Sequence, residues 1–357
     1  MEVTPVPDSD GDSDVLANAG RLLEMVNSSW MPQALRTAAE LGLADLLAPG
    51  PRSAADLAEA TSTHAPSLHR LLRALVAIDV VAERDDGSFA LTPSGRLLQA
   101  DVEGTVRSWV IYQGRDVWDE WGLMLEAVRT GRSGRELATG KRGDWKPGFE
   151  PLRDDPERAA IFNKAMAELT RLNTRSIVAG YDFGRYPRVA DVGGGYGELI
   201  AAVLAAHPDL RGVLFDLPHA TESARPHLEK SGVLDRCEVV SGSFFDEVPA
   251  GADLYVMKSV IHDWDDERAA EILATVRRAM GASATLLLVE RLMPERMQPG
   301  PEFRALARAD MNMLVAHAAP ERTEAQWRRL LESAGFFVAG VRPVTATATG
   351  IEAVPAG

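Results

Sequence analysis

Residues 191–197, with the sequence Asp-Val-Gly-Gly-Gly-Tyr-Gly, join the end of an apolar run to a helical pattern that begins at Glu198. Strand, glycine loop and helix in this order are typical of nucleotide-binding sheets, because glycines let the backbone turn sharply and approach a ligand. The spacing is not the Gly-x-Gly-x-x-Gly fingerprint, and no Lys-Ser/Thr pair follows, so the loop does not point to a phosphate. A tight strand-to-helix turn without a ligand is the alternative interpretation.

Strands and helices alternate from residue 188 onward. The predicted strands are 188–192, 212–216, 237–241, 253–258, 285–290 and 336–344, and the predicted helices are 198–206, 219–230, 267–280 and 324–333. This alternation predicts an α/β domain with a parallel sheet, helices on both faces and ligands at the carboxyl ends of the strands. Asp216 ends the second strand, about 20 residues beyond the loop, where a carboxylate can accept hydrogen bonds from a ribose. The loop and Asp216 together predict a nucleoside-binding crevice.

The N-terminal part follows the plan of a winged helix. Residues 1–14 are polar and acidic and predict a disordered tail, without the features of a secretory signal. Helical patterns follow at 15–27, 33–47 and 67–78, with a capping-box sequence at 53–56 and a hairpin pattern at 80–83 and 89–92. We expect one domain over residues 15–103. Residues 1–100 contain 7 basic and 14 acidic side chains, a balance that disfavours DNA reading.

Composition limits the classes of partner and compartment. A length of 357 residues suggests two domains, and a net charge of −14 disfavours nucleic acid and anionic membranes as partners. A single cysteine, Cys237, excludes an internal disulfide and is consistent with a reducing cytoplasm. Apolar runs are far shorter than the ~20 residues that a membrane span needs. We therefore expect a soluble cytoplasmic protein.

Residues 104–180 are helical with aromatic interruptions, and we interpret them as a connector and one wall of an apolar pocket within a domain that spans 104–357. Trp118, Phe162 and Met166 belong to this region. Each of them has the alternative interpretation of a core residue at helical spacing. As a group they favour a flat aromatic substrate.

A second cluster of functional residues, at 257–264, includes Lys258, His262 and Asp263 at the carboxyl end of a predicted strand. An imidazole with a pKa near ~6.5 is suited to remove a proton from a hydroxyl near neutral pH. Glu290 or Glu321 could bind its other nitrogen, and Asp263 is expected to cap a helix or contact a cofactor. A hydrogen-bonded core histidine is the alternative, whereas a metal site is disfavoured because no second histidine has ligand spacing.

With these residues the chain resembles the S-adenosylmethionine-dependent small-molecule O-methyltransferases, which include caffeate-type plant enzymes and bacterial natural-product enzymes. The resemblance is carried by residues 191–197, 258–264 and 321–323. It implies a Rossmann-like class I methyltransferase sheet, a winged-helix dimerisation domain and a homodimer. The first helices of that domain would also close the partner's pocket.

The resemblance also implies roles for individual residues. His262 would be the base, flanked by Glu290 and Glu321. S-adenosylmethionine, which becomes S-adenosylhomocysteine, would be held by Asp191, Gly193, Gly195, Asp216, Ser243, Phe244 and Lys258. The acceptor would be held by Trp118, Phe162, Asn163, Met166, Asp263 and Asn312. Two features depart from the plant pattern: Ser243 stands where an Asp is usual, and residues 316–320 lack the usual glycine pair and form a shorter loop.

The resulting hypothesis is a metal-independent O-methyltransferase for a small aromatic molecule, such as a polyketide or phenolic intermediate of antibiotic biosynthesis. One alternative is a same-fold enzyme that uses S-adenosylmethionine in hydroxylation or decarboxylation of a polyketide. A cofactor-responsive winged-helix regulator and a non-catalytic heterodimer partner are the others. The intact His262 and Glu290 favour methyl transfer over hydroxylation or decarboxylation, since that chemistry needs no base at this position.

Overall fold

The computed structural model describes residues 9–139 and 155–357. The chain forms two compact units, Met1–Gly114 and Arg115–Gly357. Residues 1–8 of the predicted tail and 140–154 of the predicted connector lie outside the described residues.

The N-terminal unit is mainly helical and contains one short antiparallel hairpin. Its elements are α1 (Ser9–Asn27), α2 (Trp30–Glu40), α3 (Leu43–Leu47), α4 (Ala54–Ala60), α5 (Ala65–Ala77), β1 (Val81–Glu83), β2 (Phe89–Leu91), α6 (Pro93–Arg96) and α7 (Arg107–Tyr112). The predicted capping box is confirmed, because Ser53 Oγ accepts from Asp56 N and Asp56 accepts from Ser53 N. Leu57, Leu72 and Phe89 are fully buried in the core of this unit.

Two predictions for this unit were wrong in detail. The pattern at 33–47 forms two helices, because Gly42 adopts a left-handed φ of 65° that ends α2 and starts α3. Helix α1 begins at Ser9, inside the stretch predicted as a disordered tail. A polar sequence is also compatible with a solvated helix, so composition alone did not distinguish a helix from a disordered tail. Residues 14–27 of α1 are exposed throughout, including the apolar side chains Val15, Leu16, Leu22, Leu23, Met25 and Val26.

The second unit begins with helices and continues as an α/β domain. The helices before the sheet are α8 (Trp118–Gly122), α9 (Met124–Thr130), α10 (Gly134–Thr139) and α11 (Pro156–Gly180). The sheet strands are β3 (Arg188–Val192), β4 (Arg211–Asp216), β5 (Cys237–Ser241), β6 (Leu254–Lys258), β7 (Thr285–Glu290), β8 (Phe336–Pro343) and β9 (Thr349–Pro355). The other helices are α12 (Glu198–Ala206), α13 (Pro218–Lys230), α14 (Asp266–Ala279), α15 (Pro301–His317) and α16 (Glu324–Ser333).

The strands form one seven-stranded sheet in the order β5-β4-β3-β6-β7-β9-β8. Alternate residues of each central strand pack on opposite faces, as the strand repeat requires. On one face, Leu286 and Leu288 pack with α14 and α16, including Trp327. On the other face, Leu287 and Val289 pack in a core that contains residues of α11, α12 and α13. The predicted Rossmann-like sheet with helices on both faces is confirmed.

The edge of the sheet differs from the prediction of parallel strands throughout. Strands β3 to β7 are parallel, but β9 pairs antiparallel with both β7 and β8. A tight turn joins β8 to β9, in which Val344 N donates to Ala348 O. Such a turn needs no helical crossover, so the helix–strand alternation did not reveal β9. Helix α15 was also absent from the predicted series.

Cys237 should be inert in the folded protein. Its side chain is buried, and burial together with the negative charge of Asp191 raises the pKa of the thiol to about 12. Because the thiolate is the nucleophile, a pKa shift from ~8.5 lowers reactivity by about 10³-fold before access is considered. We expect Ellman's reagent to detect no thiol in the native protein at pH 8 and one after denaturation in guanidinium. A native thiol that reacts as fast as free cysteine would contradict this.

Candidate active site

The glycine loop at the end of β3 has a backbone that only glycine adopts without strain. Gly193, Gly195 and Gly197 have left-handed φ values of 74°, 57° and 78°. A Cβ atom on Gly194 would lie 2.4 Å from Leu214 Cδ1, whereas one on Gly195 would meet nothing within 4 Å. The loop is therefore packed on its inner side and open beside Gly195, which leaves room for a ligand against the backbone.

Asp216 is fixed against this loop. Its Oδ2 accepts from Gly195 N at 2.7 Å, and its Oδ1 accepts from Leu217 N at 2.6 Å. Burial raises the pKa of this carboxyl, although the two N–H donors oppose the shift. The carboxylate thus stands at the carboxyl end of β4, beside the open part of the loop, as predicted for a ribose contact.

An acidic and a basic side chain, Asp191 and Lys258, lie near the ends of the adjacent strands β3 and β6 and attract each other. Asp191 is buried, and burial raises its pKa to about 7 against the favourable charge of Lys258. Among the described residues, Asp191 Oδ2 has no hydrogen-bond partner. Lys258 donates from Nζ to Thr170 Oγ1 at 3.2 Å, and burial lowers its pKa. A buried carboxylate oxygen without a donor is a position where a ligand N–H or O–H would be stabilised.

Ser243 and Phe244 follow β5 and make different contacts: a hydrogen bond within the local turn and a ring contact with Trp264. Ser243 Oγ accepts from Phe245 N at 3.2 Å, so its hydroxyl already serves the local turn. Phe244 stands at an interplanar angle of 89° to Trp264, with ring centroids 6.0 Å apart. Phe244 therefore links the segment after β5 to the turn that carries His262.

The turn after β6 carries His262 and is held by Glu290 at the end of β7. Residues Ile261–Asp263 form one turn of 3₁₀ helix, and Ser259 before it has a left-handed φ of 52°. Glu290 Oε1 accepts from Val260 N at 3.2 Å and from Ile261 N at 3.1 Å. These two bonds satisfy backbone donors that would otherwise be buried without partners.

The imidazole of His262 lies among three carboxylates. Its Nδ1 is 3.1 Å from Glu321 Oε1 and 3.9 Å from Glu290 Oε2, and its Nε2 is 3.5 Å from Asp263 Oδ1. The structure therefore brings together the three residues predicted as catalytic. Asp263 does not cap a helix, because Asp265 takes that role by accepting from Arg268 N at the start of α14.

The carboxylates set the charge of the imidazole. Burial alone would lower the pKa of His262, but the negative charges of Glu290, Asp263 and Glu321 outweigh it and raise the pKa to about 9. Burial raises the pKa of Glu290 to about 7. Burial acts on Glu321 in the same direction, yet the hydrogen bond and charge of His262, with the charge of Arg291, lower its pKa overall. Glu321 is thus the anionic partner at Nδ1, and Nε2 is the nitrogen left to take a proton.

Five of the six residues predicted to hold the acceptor lie on three helices, and the sixth, Asp263, lies on the turn that carries His262. Trp118 on α8 is 40% exposed, and Phe162, Asn163 and Met166 on α11 are half-buried, so none of the four is a fully buried core residue. On α15, Asn312 Oδ1 accepts from Trp121 Nε1 at 3.4 Å. Their role as an acceptor pocket stays a prediction.

Sequence reasoning missed several residues around His262. His317 at the end of α15 is 3.6 Å from Asp263 Oδ1, and Arg291 is 3.6 Å from Glu321 Oε1. Arg322, next to Glu321, is 1% exposed. The sequence pointed to two of them, since Arg291 directly follows Glu290 and Arg322 belongs to the segment 321–323 that carries the family resemblance. Nothing in the spacing of His317 indicated that α15 would bring it to Asp263.

The described residues contain neither a metal-ion cluster nor a membrane-spanning helix. No group of three or more His, Cys, Asp and Glu side chains in the described ranges is arranged to hold a metal ion. Across residues 9–139 and 155–357, no helix combines the length and apolar character of a membrane span.

Comparison with known proteins identifies the family. Residues 121–337 match the family model of the O-methyltransferase domain, and residues 23–101 match that of the O-methyltransferase dimerisation domain. The fold and the site define a class I methyltransferase. The chain belongs to the O-methyltransferase family.

Named relatives and a solved structure agree with this assignment. The chain is 38% identical over 336 residues to phenazine O-methyltransferase PhzM of Lysobacter antibioticus, covering 94% of this chain and 95% of the relative. It is 37% identical over 318 residues to 8-amino-8-demethylriboflavin N,N-dimethyltransferase of Streptomyces davaonensis, covering 87% of each. The crystal structure of the O-methyltransferase NcsB1 from neocarzinostatin biosynthesis, in complex with S-adenosylmethionine and 2-hydroxy-5-methyl naphthoic acid, superimposes with a TM-score of 0.77 at 33% identity. That match covers 91% of this chain and 96% of NcsB1.

Proposed function

We propose that this protein transfers the methyl group of S-adenosylmethionine to a hydroxyl of a small aromatic natural product, with His262 as general base. One observation carries the proposal. His262 Nδ1 is bonded to the anionic Glu321 at 3.1 Å, which leaves Nε2 as the basic nitrogen at the same sheet edge as the glycine loop. The relatives that act on aromatic secondary metabolites support the substrate class.

The residues of the loop region fit a sulfonium nucleoside. Asp216 offers a fixed carboxylate for a ribose diol, and Asp191 Oδ2 is a buried acceptor with no donor among the described residues. Lys258 and Phe244 border the same edge, and Ser243 Oγ accepts from Phe245 N while its O–H remains a donor. Bound S-adenosylmethionine would supply an activated methyl group, so the protein has to contribute position and a base. No metal takes part in the proposed reaction.

The proposed chemical role of the chain is to move one proton. His262 Nε2 accepts the proton of the acceptor hydroxyl, whose oxygen would take the methyl group. The bond from that methyl to sulfur would break, and S-adenosylhomocysteine would leave. The imidazolium that forms is stabilised by Glu321 at Nδ1 and by the nearby charge of Glu290. Because Nδ1 is held by a carboxylate, the ring orientation and tautomer are fixed before the acceptor binds.

Methylation of nitrogen is the second candidate, because one relative is an N,N-dimethyltransferase. A neutral aromatic amine attacks through its free electron pair and need not lose a proton first. A hydroxyl becomes a far better nucleophile when its proton is removed. The imidazole with a carboxylate at Nδ1 therefore favours oxygen as the acceptor atom.

We also propose that the active form is a homodimer. The match to a dimerisation domain covers residues 23–101, and α1 exposes six large apolar side chains along residues 15–26. An apolar helix face of this kind is typical of a surface that another chain covers.

Transfer of a radiolabelled methyl group to a panel of aromatic acceptors tests the function. We expect label in hydroxynaphthoic, hydroxybenzoic or hydroxyphenazine compounds, and none in their O-methyl ethers. The matched amino compounds identify the acceptor atom, since labelling of amines without labelling of phenols would contradict O-methylation. If calorimetry detects no binding of S-adenosylmethionine or S-adenosylhomocysteine, the whole proposal fails.

A further inference from the structure

Arg322 is a buried arginine next to Glu321, and its side chain donates hydrogen bonds to the turn that carries His262. Its Nη1 donates to Ile261 O at 3.3 Å, and its Nη2 donates to Trp264 O at 2.7 Å. Ile261 precedes His262 and Trp264 follows Asp263, so one guanidinium reaches both ends of the turn. The side chain also stacks on Trp327, with its Cζ 5.2 Å from the ring centroid.

The backbone of Arg322 connects the same turn to both glutamates. Glu321, the preceding residue, contacts His262 Nδ1. The carbonyl oxygen of Arg322 accepts from Met293 N at 3.0 Å, three residues beyond Glu290. Arg322 is therefore bonded to the His262 turn through its side chain and to Glu321 through the peptide bond. A backbone hydrogen bond joins it to the segment after β7.

The charge of Arg322 is not balanced by a buried carboxylate in the described contacts. Its acidic partner is Asp266, which accepts from Nε at 2.9 Å and has a side chain that is 78% exposed. Two buried carbonyl oxygens, of Ile261 and Trp264, accept from one guanidinium. Such a pair of bonds requires several donors fixed in one plane, and lysine lacks them.

We infer that Arg322 is a positioning residue for the proposed methyl transfer, which holds the His262 turn at hydrogen-bond distance from Glu321. The inference rests on the proposed function. Without the two guanidinium bonds to Ile261 O and Trp264 O, the His262–Glu321 contact has to hold the turn against residues 321–323. We expect its distance of 3.1 Å to lengthen. A displacement of about 1 Å in such a site can cost about 10²-fold in rate.

The test compares Arg322→Lys with wild type in steady-state kinetics, with the acceptor that the labelling panel identifies. We expect kcat to fall about 10²-fold, with KM for S-adenosylmethionine and the Kd of S-adenosylhomocysteine within about 3-fold. The lower limb of the kcat/KM profile should also move to lower pH, because the anion at Nδ1 no longer raises the pKa of His262. If kcat and the pH profile are unchanged while Tm falls, Arg322 is merely structural and the inference is wrong.

Arg236 supplies a matched control. It donates to three backbone carbonyl oxygens, those of Leu204, His207 and Leu210, but it precedes β5 at the far edge of the sheet. Arg236→Lys should lower Tm without changing kcat or the pH profile. An equal loss of kcat in Arg236→Lys would overturn the inference, since a general loss of rigidity would then explain both variants.

A second variant keeps the test decisive if Arg322→Lys does not fold. Asp266→Ala changes an exposed side chain and removes the bond that orients the guanidinium at Nε. We expect about a 3-fold lower kcat and a pH shift in the same direction, and an unchanged kcat and profile would count against the inference. Wild-type protein that transfers no methyl group would instead refute the proposed function, so the two failures are distinguishable.

Discussion

Replacement of His262 with alanine should lower kcat by about 10²- to 10⁴-fold, the usual contribution of a positioned general base. S-adenosylhomocysteine should still bind with an affinity close to that of wild type, because His262 is separate from the glycine loop and from Asp216. Affinity for S-adenosylmethionine should not fall. Loss of the imidazolium leaves the charges of Glu290, Glu321 and Asp263 less compensated, which favours a bound cation.

Rapid-quench single-turnover assays separate the chemical step from binding in this variant. His227 provides a matched control, since its Nε2 lies 3.6 Å from Glu198 Oε2 and it belongs to α13, away from the His262 turn. His227→Ala should keep kcat within about 2-fold of wild type. A His262→Ala enzyme that turns over its true acceptor at the wild-type rate would refute the assignment of the base.

The sequence was sufficient to predict the central sheet because each central strand has a local signal. Strands β3, β5 and β7 have the predicted bounds, since each is a short apolar run closed by polar residues. Glycine at 193, 195 and 197 indicated the left-handed turn at the end of β3. The carboxyl ends of parallel strands share one edge, and this rule alone placed Asp216, His262 and Glu290 near one another.

Other features depend on contacts between distant segments, which a single sequence does not reveal. The pairing of β9 with β7 depends on a hairpin at residues 344–348, and Thr349–Pro355 includes a glycine and a proline that weaken its strand pattern. The approach of His317 to Asp263 depends on how α15 packs. The inferred role of Arg322 depends on its burial, and charged residues are rarely buried, so its residue type gave no sign of that position.

Glu290→Gln should move the acidic limb of the kcat/KM profile to lower pH by at least about one unit. The isosteric amide keeps a carbonyl oxygen for Val260 N and Ile261 N, so the turn should hold its shape. The variant removes a negative charge 3.9 Å from His262 Nδ1. At this distance an effective dielectric of about 20 gives roughly 4 kcal/mol, an upper bound of about 3 pKa units.

The sign of that shift follows from which form of His262 reacts. The imidazole must be neutral to take a proton, and Glu290 favours the protonated form, so wild-type activity rises as pH passes upward through a raised pKa. Without the charge of Glu290 the pKa of His262 falls, and neutral imidazole is present at lower pH.

A base with a lower pKa also accepts a proton less readily, so the plateau of the kcat/KM profile should fall by about tenfold. Glu321 and Asp263 also raise the pKa of His262, and both charges are unchanged in the variant. Glu238, an exposed partner of Arg188, provides the control, and Glu238→Gln should leave the profile in place. A limb that stays fixed or moves to higher pH in Glu290→Gln would show that Glu290 does not set the charge of the base.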